Sequence, residues 1–362
     1  MTLYEQRVPI GKITISGKMD FLKTGRMNMI GNVKNTRLLI VILSGLFVLI
    51  ISCQQPKKQM ERKPIYQEGF IQGHGIKLQY LDWGGHGKPL ILIPGLFDSP
   101  YLFEDMATAL KTDFRIIAYS RRGHGKSEAN NSDYSNSTLV SDLKLLLDSL
   151  EINKANLLGW SWAGNEITEF AIRYPERINK LIYFESGYDV SDEAFKKIIK
   201  SLPISPFPDS LSLRSLDTYR EWYHKFWFAD TDWNHALEAN LIASSRVSPD
   251  GTVSTIPNDR ISNLLLASGT SYHRDYKMIQ SPALVIYTKQ FFVPPVTDDH
   301  IVSVYQDREK NIINPWRLRS MNQIRTELKN VTIKEIPLGS HTSFIFLSRG
   351  PLVKLINNFL LN

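Results

Sequence analysis

Leu157-Leu158-Gly159-Trp160-Ser161-Trp162-Ala163-Gly164 is the stretch that decides how this chain folds. Residues 155–158 before it read as a short buried strand. Residues 162–173 behind it read as a helix. A serine between the two sits on a tight strand-to-helix turn that projects its hydroxyl off the edge of a sheet. The backbone passes closely there only where neighbouring residues are small, as Gly159 and Ala163 are. The start of the helix presents free N–H groups toward negative charge developing beside the serine. The small-x-Ser-x-small spacing is weak by itself. Flanked by a buried strand and a helix, it marks Ser161 as a nucleophile.

The elements on either side follow the same alternation. Residues 76–83 (IKLQYLDW) alternate apolar and polar, which suits an antiparallel strand. Residues 90–93 are a short apolar run ending at Pro94-Gly95, and 114–119 are similar. Leu139, Leu143, Leu146, Leu147 and Leu150 recur at helical spacing, with Ser137 or Thr138 placed to cap that helix. Further strands are expected at 180–184, 283–287 and 331–336, and a helix over 352–361 closes the chain. Strands alternating with helices give a mostly parallel sheet covered on both faces. From about 190 to 277 the alternation stops. Aromatic residues gather there (Phe207, Tyr219, Trp222, Tyr223, Phe226, Trp227, Phe228 and Trp233), with a turn at Ser248-Pro249-Asp250-Gly251. The segment reads as an inserted helical lid; the competing reading is ordinary core packing.

Four motifs in this order make the chain resemble the α/β-hydrolase superfamily over residues 66–362. Besides the Ser161 turn, residues 90–96 (LILIPGL) resemble its strand and oxyanion loop. Residues 119–127 (YSRRGHGKS) resemble its R-G-x-G-x-S turn, and Leu338-Gly339-Ser340-His341 resembles the loop carrying its late histidine. The resemblance implies an α/β fold with a mostly parallel eight-stranded sheet and helices on both faces. The core would span 66–189 and 278–362, interrupted by a lid over 190–277. It also implies a Ser–His–acid triad with Ser161 as nucleophile and His341 as general base. The backbone N–H groups of Leu96 and Trp162 would be the oxyanion donors. Pro94 stands where the family often has histidine, which alters the loop without removing backbone donors. Among the other histidines, His86 lies in a Gly-rich turn, His124 in the R-G-x-G-x-S turn, and His224, His235 and His273 in the lid.

The triad acid is open at this level. The family usually places it after the strand that here ends at Tyr287, but Thr288–Pro295 contains no carboxylate. Asp298 and Asp299 come several residues late. Glu185 directly follows the strand at 180–184, with Asp189 close behind, and some members of the superfamily carry the acid at that earlier strand end. Glu185 is the first candidate; Asp189, Asp298 and Asp299 are the alternatives. Ser161 argues against the dehalogenases and epoxide hydrolases of this fold, which use aspartate.

Composition bounds the rest. With 43% hydrophobic and 22% charged residues the chain has ordinary globular composition. Its single cysteine, Cys53, excludes an intramolecular disulfide and cysteine-built zinc or iron–sulfur sites. The net charge of +7 is concentrated at the start: residues 1–52 hold seven Lys/Arg and two acids, and 53–65 hold four Lys/Arg and Glu61. The remainder is near neutral, so the basic excess is not a nucleic-acid footprint.

Residues 38–51 (LLIVILSGLFVLII) are apolar but shorter than the roughly 20 residues that span a bilayer. Lys34 and Arg37 precede this run and Ile50-Ile51-Ser52-Cys53 ends it, which resembles a bacterial lipoprotein signal. That resemblance implies cleavage before Cys53 and lipidation of its side chain and new N-terminus. Residues 1–52 would be a leader and signal peptide, with translation expected to start at Met27 or Met29. Residues 53–65 would be a flexible tether, holding the protein in the bacterial cell envelope outside the cytoplasm. No metal-ligand spacing, P-loop or dinucleotide fingerprint is present, so no cofactor or metal is expected.

The expectation is therefore a lid-bearing serine hydrolase that cleaves a small, largely apolar ester or amide through an acyl-enzyme. The alternative is a hydrolase-fold binding or scaffold lipoprotein that has lost catalysis, suggested by the missing acid after Tyr287.

Overall fold

The computed structural model describes residues 65–130, 133–201, 207–292 and 298–362. The leader, Cys53 and nearly all of the tether lie outside the described residues. Ten strands are present among those described: β1 (Gln67–Gly73), β2 (Ile76–Gly84), β3 (Pro89–Ile93), β4 (Arg115–Tyr119), β5 (Ala155–Trp160), β6 (Ile178–Phe184), β7 (Ser245–Val247), β8 (Val253–Thr255), β9 (Ala283–Thr288) and β10 (Val331–Ile336). Eight form one sheet in the order β1-β2-β4-β3-β5-β6-β9-β10, and β7 and β8 form a separate hairpin. Strand β2 is antiparallel to both neighbours; every pairing from β4 to β10 is parallel.

Eleven α-helices accompany them among the described residues: α1 (Glu104–Leu110), α2 (Asn136–Ser149), α3 (Ala163–Arg173), α4 (Glu193–Ser201), α5 (Leu216–Trp227), α6 (His235–Ala243), α7 (Asp259–Ser271), α8 (Asp299–Arg308), α9 (Asn314–Glu327), α10 (Phe344–Leu347) and α11 (Arg349–Leu361). The central strands are buried on both sides, and successive side chains point to opposite faces. In β3, Ile91 and Ile93 join one core with α2, α3, α7 and α9, through residues such as Leu143, Ile167, Leu265 and Ile324. Leu90 and Leu92 join the other, with Met106 and Leu110 of α1 and Leu352 and Ile356 of α11.

The segment between β6 and β9 divides its work. Tyr219 and Leu237, on α5 and α6, join the second core, whereas Ile261 and Leu265 on α7 pack in the first core with α2 and α3. Of the aromatic residues gathered there, Tyr219, Tyr223, Phe226 and Phe228 are buried.

Several elements were not foreshadowed. β1 carries one buried residue, Ile71, between exposed Phe70 and Gln72. Helix α9 turns Trp316, Arg317, Ser320 and Ile324 inward, so polar groups break its apolar stripe. Helix α2 begins two residues earlier than its leucine spacing implies: the cap is Ser135, whose Oγ accepts from Thr138 N, rather than Ser137 or Thr138.

The turn after β4 is tied down by charge. Arg122 donates to both carboxylate oxygens of Asp142 on α2, each at 2.7 Å, and both side chains are buried. Removing one partner of such a pair leaves a buried charge uncompensated, which costs about 3–5 kcal/mol. Asp142→Ala is therefore expected to lower unfolding stability in urea by that amount. A loss under roughly 1 kcal/mol, the range of an exposed pair, would show that the pair is not holding the turn.

Candidate active site

The chain direction at the sheet's centre creates a crevice. From β3 it runs outward to β4, then returns to β5 on the other side of β3. In open α/β sheets such a switch, at the C-terminal ends of the strands, is where ligands sit. The loop after β3 and the turn after β5 meet there.

Ser161 occupies the turn between β5 and α3 with φ of 54°, in the left-handed region. Its N–H donates to Phe184 O at 3.1 Å, which prolongs the β5–β6 ladder by one rung before the chain turns. The left-handed conformation costs a non-glycine residue of order 1–3 kcal/mol, so its surroundings must enforce it. Glycines flank it because nothing larger fits. A Cβ on Gly159 would lie 2.9 Å from Ala163 O, and one on Gly164 would lie 2.3 Å from Ser186 O.

His341 comes from the loop after β10, three strands from β5 across the sheet. Gly339 allows the loop's reversal with φ of 90°, and His341 N donates to Phe291 O at 3.1 Å. The Phe291 ring stacks on the imidazole at 4.3 Å, and Trp160 Nε1 donates to His341 O at 3.2 Å. The ring is thus fixed on one face and at its backbone. His341 Nε2 lies 2.8 Å from Ser161 Oγ, and Nδ1 lies 2.6 Å from Glu185 Oε2.

Glu185 follows β6 directly, also with a left-handed φ, of 50°. It is fully buried. Its Oε1 accepts from Tyr188 OH at 2.6 Å, Thr288 N at 2.5 Å and Thr288 Oγ1 at 3.0 Å. Burial pushes its pKa up, but the hydrogen bond and charge of His341, the nearby Arg317 guanidinium and the Tyr188 hydroxyl outweigh it. The carboxyl stays below its ordinary range and ionised. An ionised Glu185 accepts a hydrogen bond from His341 Nδ1–H, which leaves Nε2 to accept from the Ser161 hydroxyl.

The other candidate acids are elsewhere. Asp189 Oδ1 accepts from Ser191 N and Oγ. Asp298 caps α8 by accepting from Ile301 N at 3.0 Å, and Asp299 lies in that helix's first turn. None of the three is hydrogen-bonded to His341 among the described residues.

The loop after β3 is held from below by a buried arginine. Arg121 NH1 donates to Gly95 O at 2.8 Å and NH2 to Pro94 O at 2.5 Å, while Nε pairs with Glu166 of α3. His124 Nε2 faces Leu96 O at 2.5 Å. Burial and the Arg121 charge hold His124 down to about 4, so it is a neutral structural group. A trans peptide points its N–H opposite to its C=O. With Gly95 O turned to Arg121, the Leu96 N–H points the other way. A Cβ on Gly95 would lie 3.7 Å from Ser161 Cβ, which places this loop directly beside the serine. Neither Leu96 N nor Trp162 N donates to a protein acceptor among the described residues.

Residues that the sequence did not single out complete the site. Arg317 NH1 donates to Lys289 O at 2.8 Å and NH2 donates to Thr288 O, which fixes the end of β9 against Glu185. Tyr188 stacks on Trp316 at 4.9 Å. Asp98 lies on the loop after β3, and Tyr223 OH of α5 and Asn240 Nδ2 of α6 reach its Oδ1 at 3.4 Å. Burial raises the Asp98 pKa to about 6. Asp98 was visible as the second residue after Leu96. Arg317 gave no signal, because its partners are carbonyls of a distant loop.

Beside His341 the described residues leave a narrow cavity. The cavity lined by Phe226, Trp227, Phe291, Phe292, Ser340, His341 and Thr342 holds only about 10 Å³. That is room for about one water.

Comparison with known proteins agrees with this architecture. The family described as alpha/beta hydrolase fold matches residues 88–311. Epoxide hydrolase 4 of Mus musculus is 35% identical over 115 residues, 31% of this chain and 32% of that protein. Cis-3-alkyl-4-alkyloxetan-2-one decarboxylase of Shewanella oneidensis is 29% identical over 126 residues, 34% of this chain and 39% of that protein. The chain thus matches between about 32% and 39% of the length of these relatives. The crystal structure of E-2-(acetamidomethylene)succinate hydrolase superposes with a TM-score of 0.63 at 15% identity, covering 82% of this chain and 100% of that one, a likeness of fold alone. With the family matched over more than half of its length, the chain belongs to the α/β-hydrolase fold family.

Proposed function

We propose that this protein is a serine hydrolase that cleaves carboxylic esters or amides through an acyl-enzyme. The observation that supports this reading is the continuous chain Ser161 Oγ–His341–Glu185, at 2.8 and 2.6 Å. Ser161 Oγ attacks the substrate carbonyl while His341 Nε2 takes its proton. The oxyanion formed is received by the Leu96 and Trp162 amides. His341 then returns the proton to the departing alcohol or amine, which leaves Ser161 acylated. Water, deprotonated by the same Nε2, releases the acid. Glu185 remains ionised throughout and stabilises the imidazolium.

The names of the relatives do not transfer. Opening an epoxide with a serine hydroxyl would form an ether, which this machinery has no means to hydrolyse, whereas a carboxylate nucleophile forms an ester. Nor does the inactive-scaffold reading keep its motive, since Glu185 supplies the carboxylate that is missing after Tyr287. The narrow cavity beside His341 and the aromatic side chains Phe226 and Trp227 that line it support a lid over a small, largely apolar acyl group. Anchoring in the bacterial cell envelope through lipidated Cys53 rests on the sequence alone.

Three measurements test this reading. A fluorophosphonate probe is expected to label the protein at Ser161 and p-nitrophenyl esters to be turned over, both abolished in Ser161→Ala; a protein that neither labels nor turns over is not a hydrolase of this kind. Glu185→Gln is expected to lower kcat by roughly 10⁴-fold with KM little changed; nearly full kcat would reassign the acid. The same variant carries a pH signature. Because the Glu185 pKa is depressed, its contribution to stability is fully present above the unfolded value of 4.5 and is lost as pH falls through the lower folded value. The stability gap between parent and Glu185→Gln should therefore narrow below that pH. For the anchor, Cys53→Ala is expected to release the protein from membranes on salt washing; retention would refute lipidation.

A further inference from the structure

Asp98 is a carboxylate where the proposed chemistry would least tolerate one. A Cβ on Gly95 would lie 2.5 Å from Asp98 Oδ2 and 3.7 Å from Ser161 Cβ, so the carboxylate and the serine both border Gly95, the residue whose peptide carries the Leu96 amide. An anion there opposes the negative charge that develops on the substrate carbonyl. The fold nevertheless holds it in place. Tyr223 and Asn240 reach Oδ1, Asn240 Nδ2 donates to Tyr223 OH at 2.8 Å, and Asn240 Oδ1 accepts from Ser99 N and Ser99 Oγ at 2.7 Å each. Two helices of the insertion are thereby latched to the loop around this carboxylate. Oδ2 receives no hydrogen bond from the described residues. Arg121, whose charge reaches Asp98 as does that of His341, is engaged by Glu166, Pro94 O and Gly95 O.

The surroundings of Asp98 are those of a cation site. Tyr219 and Tyr223 are close enough for its charge to act on both hydroxyls, and both rings are buried in the same wall. Aromatic rings beside a carboxylate attract a cation through their electron-rich faces as well as through its charge. Burial raises the carboxyl to about 6, against the hydrogen bonds of Asn240 and Tyr223 and the charges of Arg121 and His341.

We propose that Asp98 is a specificity residue that selects substrates bearing a cationic nitrogen a few ångströms from the scissile carbonyl, the otherwise apolar lid walls enclosing the remainder. The ammonium would pair with Oδ2 and cancel the repulsion that the bare carboxylate exerts on the oxyanion. This inference rests on the Ser161 hydrolase reading and narrows its substrate class.

Matched esters test it. Acetylthiocholine is compared with 3,3-dimethylbutyl thioacetate for a cation on the leaving group. The p-nitrophenyl esters of 4-(trimethylammonio)butanoate and 5,5-dimethylhexanoate serve for a cation on the acyl side. In each pair a quaternary nitrogen is replaced by carbon of the same shape. The parent is expected to favour the cation in at least one pair by tenfold or more in kcat/KM. In Asp98→Asn that ratio should fall close to one, and Asp98→Glu should recover part of it, since it restores charge but not shape. Turnover of the neutral esters with ratios near one in the parent overturns the proposal while leaving the hydrolase reading intact. So does a cation preference that survives in Asp98→Asn. Failure of every ester, with no probe labelling at Ser161, overturns both.

Discussion

A carboxylate sealed from water is the constraint on which the site depends. Glu185 has no exposure, and an ionised group so buried persists only if it is surrounded by donors. Four groups supply them: His341 Nδ1, Tyr188 OH, Thr288 N and Thr288 Oγ1. They come from the loop after β10, the segment after β6 and the end of β9. One side chain therefore fixes the relative positions of three strand ends. It also sets the His341 tautomer, and with it the direction of the Ser161 hydroxyl.

The edges around it are held by the same device used repeatedly. Three buried arginines bind main-chain carbonyls where loops leave the sheet. Arg121 takes Pro94 O and Gly95 O, Arg317 takes Thr288 O and Lys289 O, and Arg274 takes Ser186 O at 2.5 Å while its Nε donates to Asn165 Oδ1 at 2.7 Å. A carbonyl turned toward a buried guanidinium fixes the whole peptide plane, so the opposite N–H is aimed without any contact of its own. The Leu96 amide is oriented this way. Arginine suits the task because its planar fork reaches several acceptors at once and stays charged when buried. The rings of Tyr188, Trp316, Phe291 and His341 pack in succession against this frame, and the frame is rigid for that reason.

Much of this was legible in the chain. Strands β3, β5, β6 and β9 announce themselves because a strand buried on both faces is mostly apolar, with Asn156 in β5 and Asn179 and Lys180 in β6 as exceptions. The Ser161 turn announces itself because only small residues allow it, and contact distances at Gly159 and Gly164 show why. His341 was placed by its position after the last strand. Other elements were hidden for physical reasons. Helix α9 buries Arg317 and Ser320 among apolar residues, so its periodicity is blurred by groups whose partners lie elsewhere. Strand β1 buries a single side chain at the sheet edge. The cap of α2 lies at Ser135 because the helix extends past its leucine stripe.

The sequence by itself determined the central strands and the serine turn, local consequences of periodicity and of residue size, and the resemblance of the loop after the last strand pointed to the late histidine. Which carboxylate completes the chain to His341 was left among Glu185, Asp189, Asp298 and Asp299. Tertiary structure decided it. Asp189 is taken up by Ser191 and Asp298 by the start of α8, whereas Glu185 faces the imidazole across the ends of β6 and β9. Asp98 gained meaning in the same way, from helices more than a hundred residues away. A hydrogen bond is a matter of ångströms and angles between groups that folding alone brings together, and spacing along a chain does not encode it.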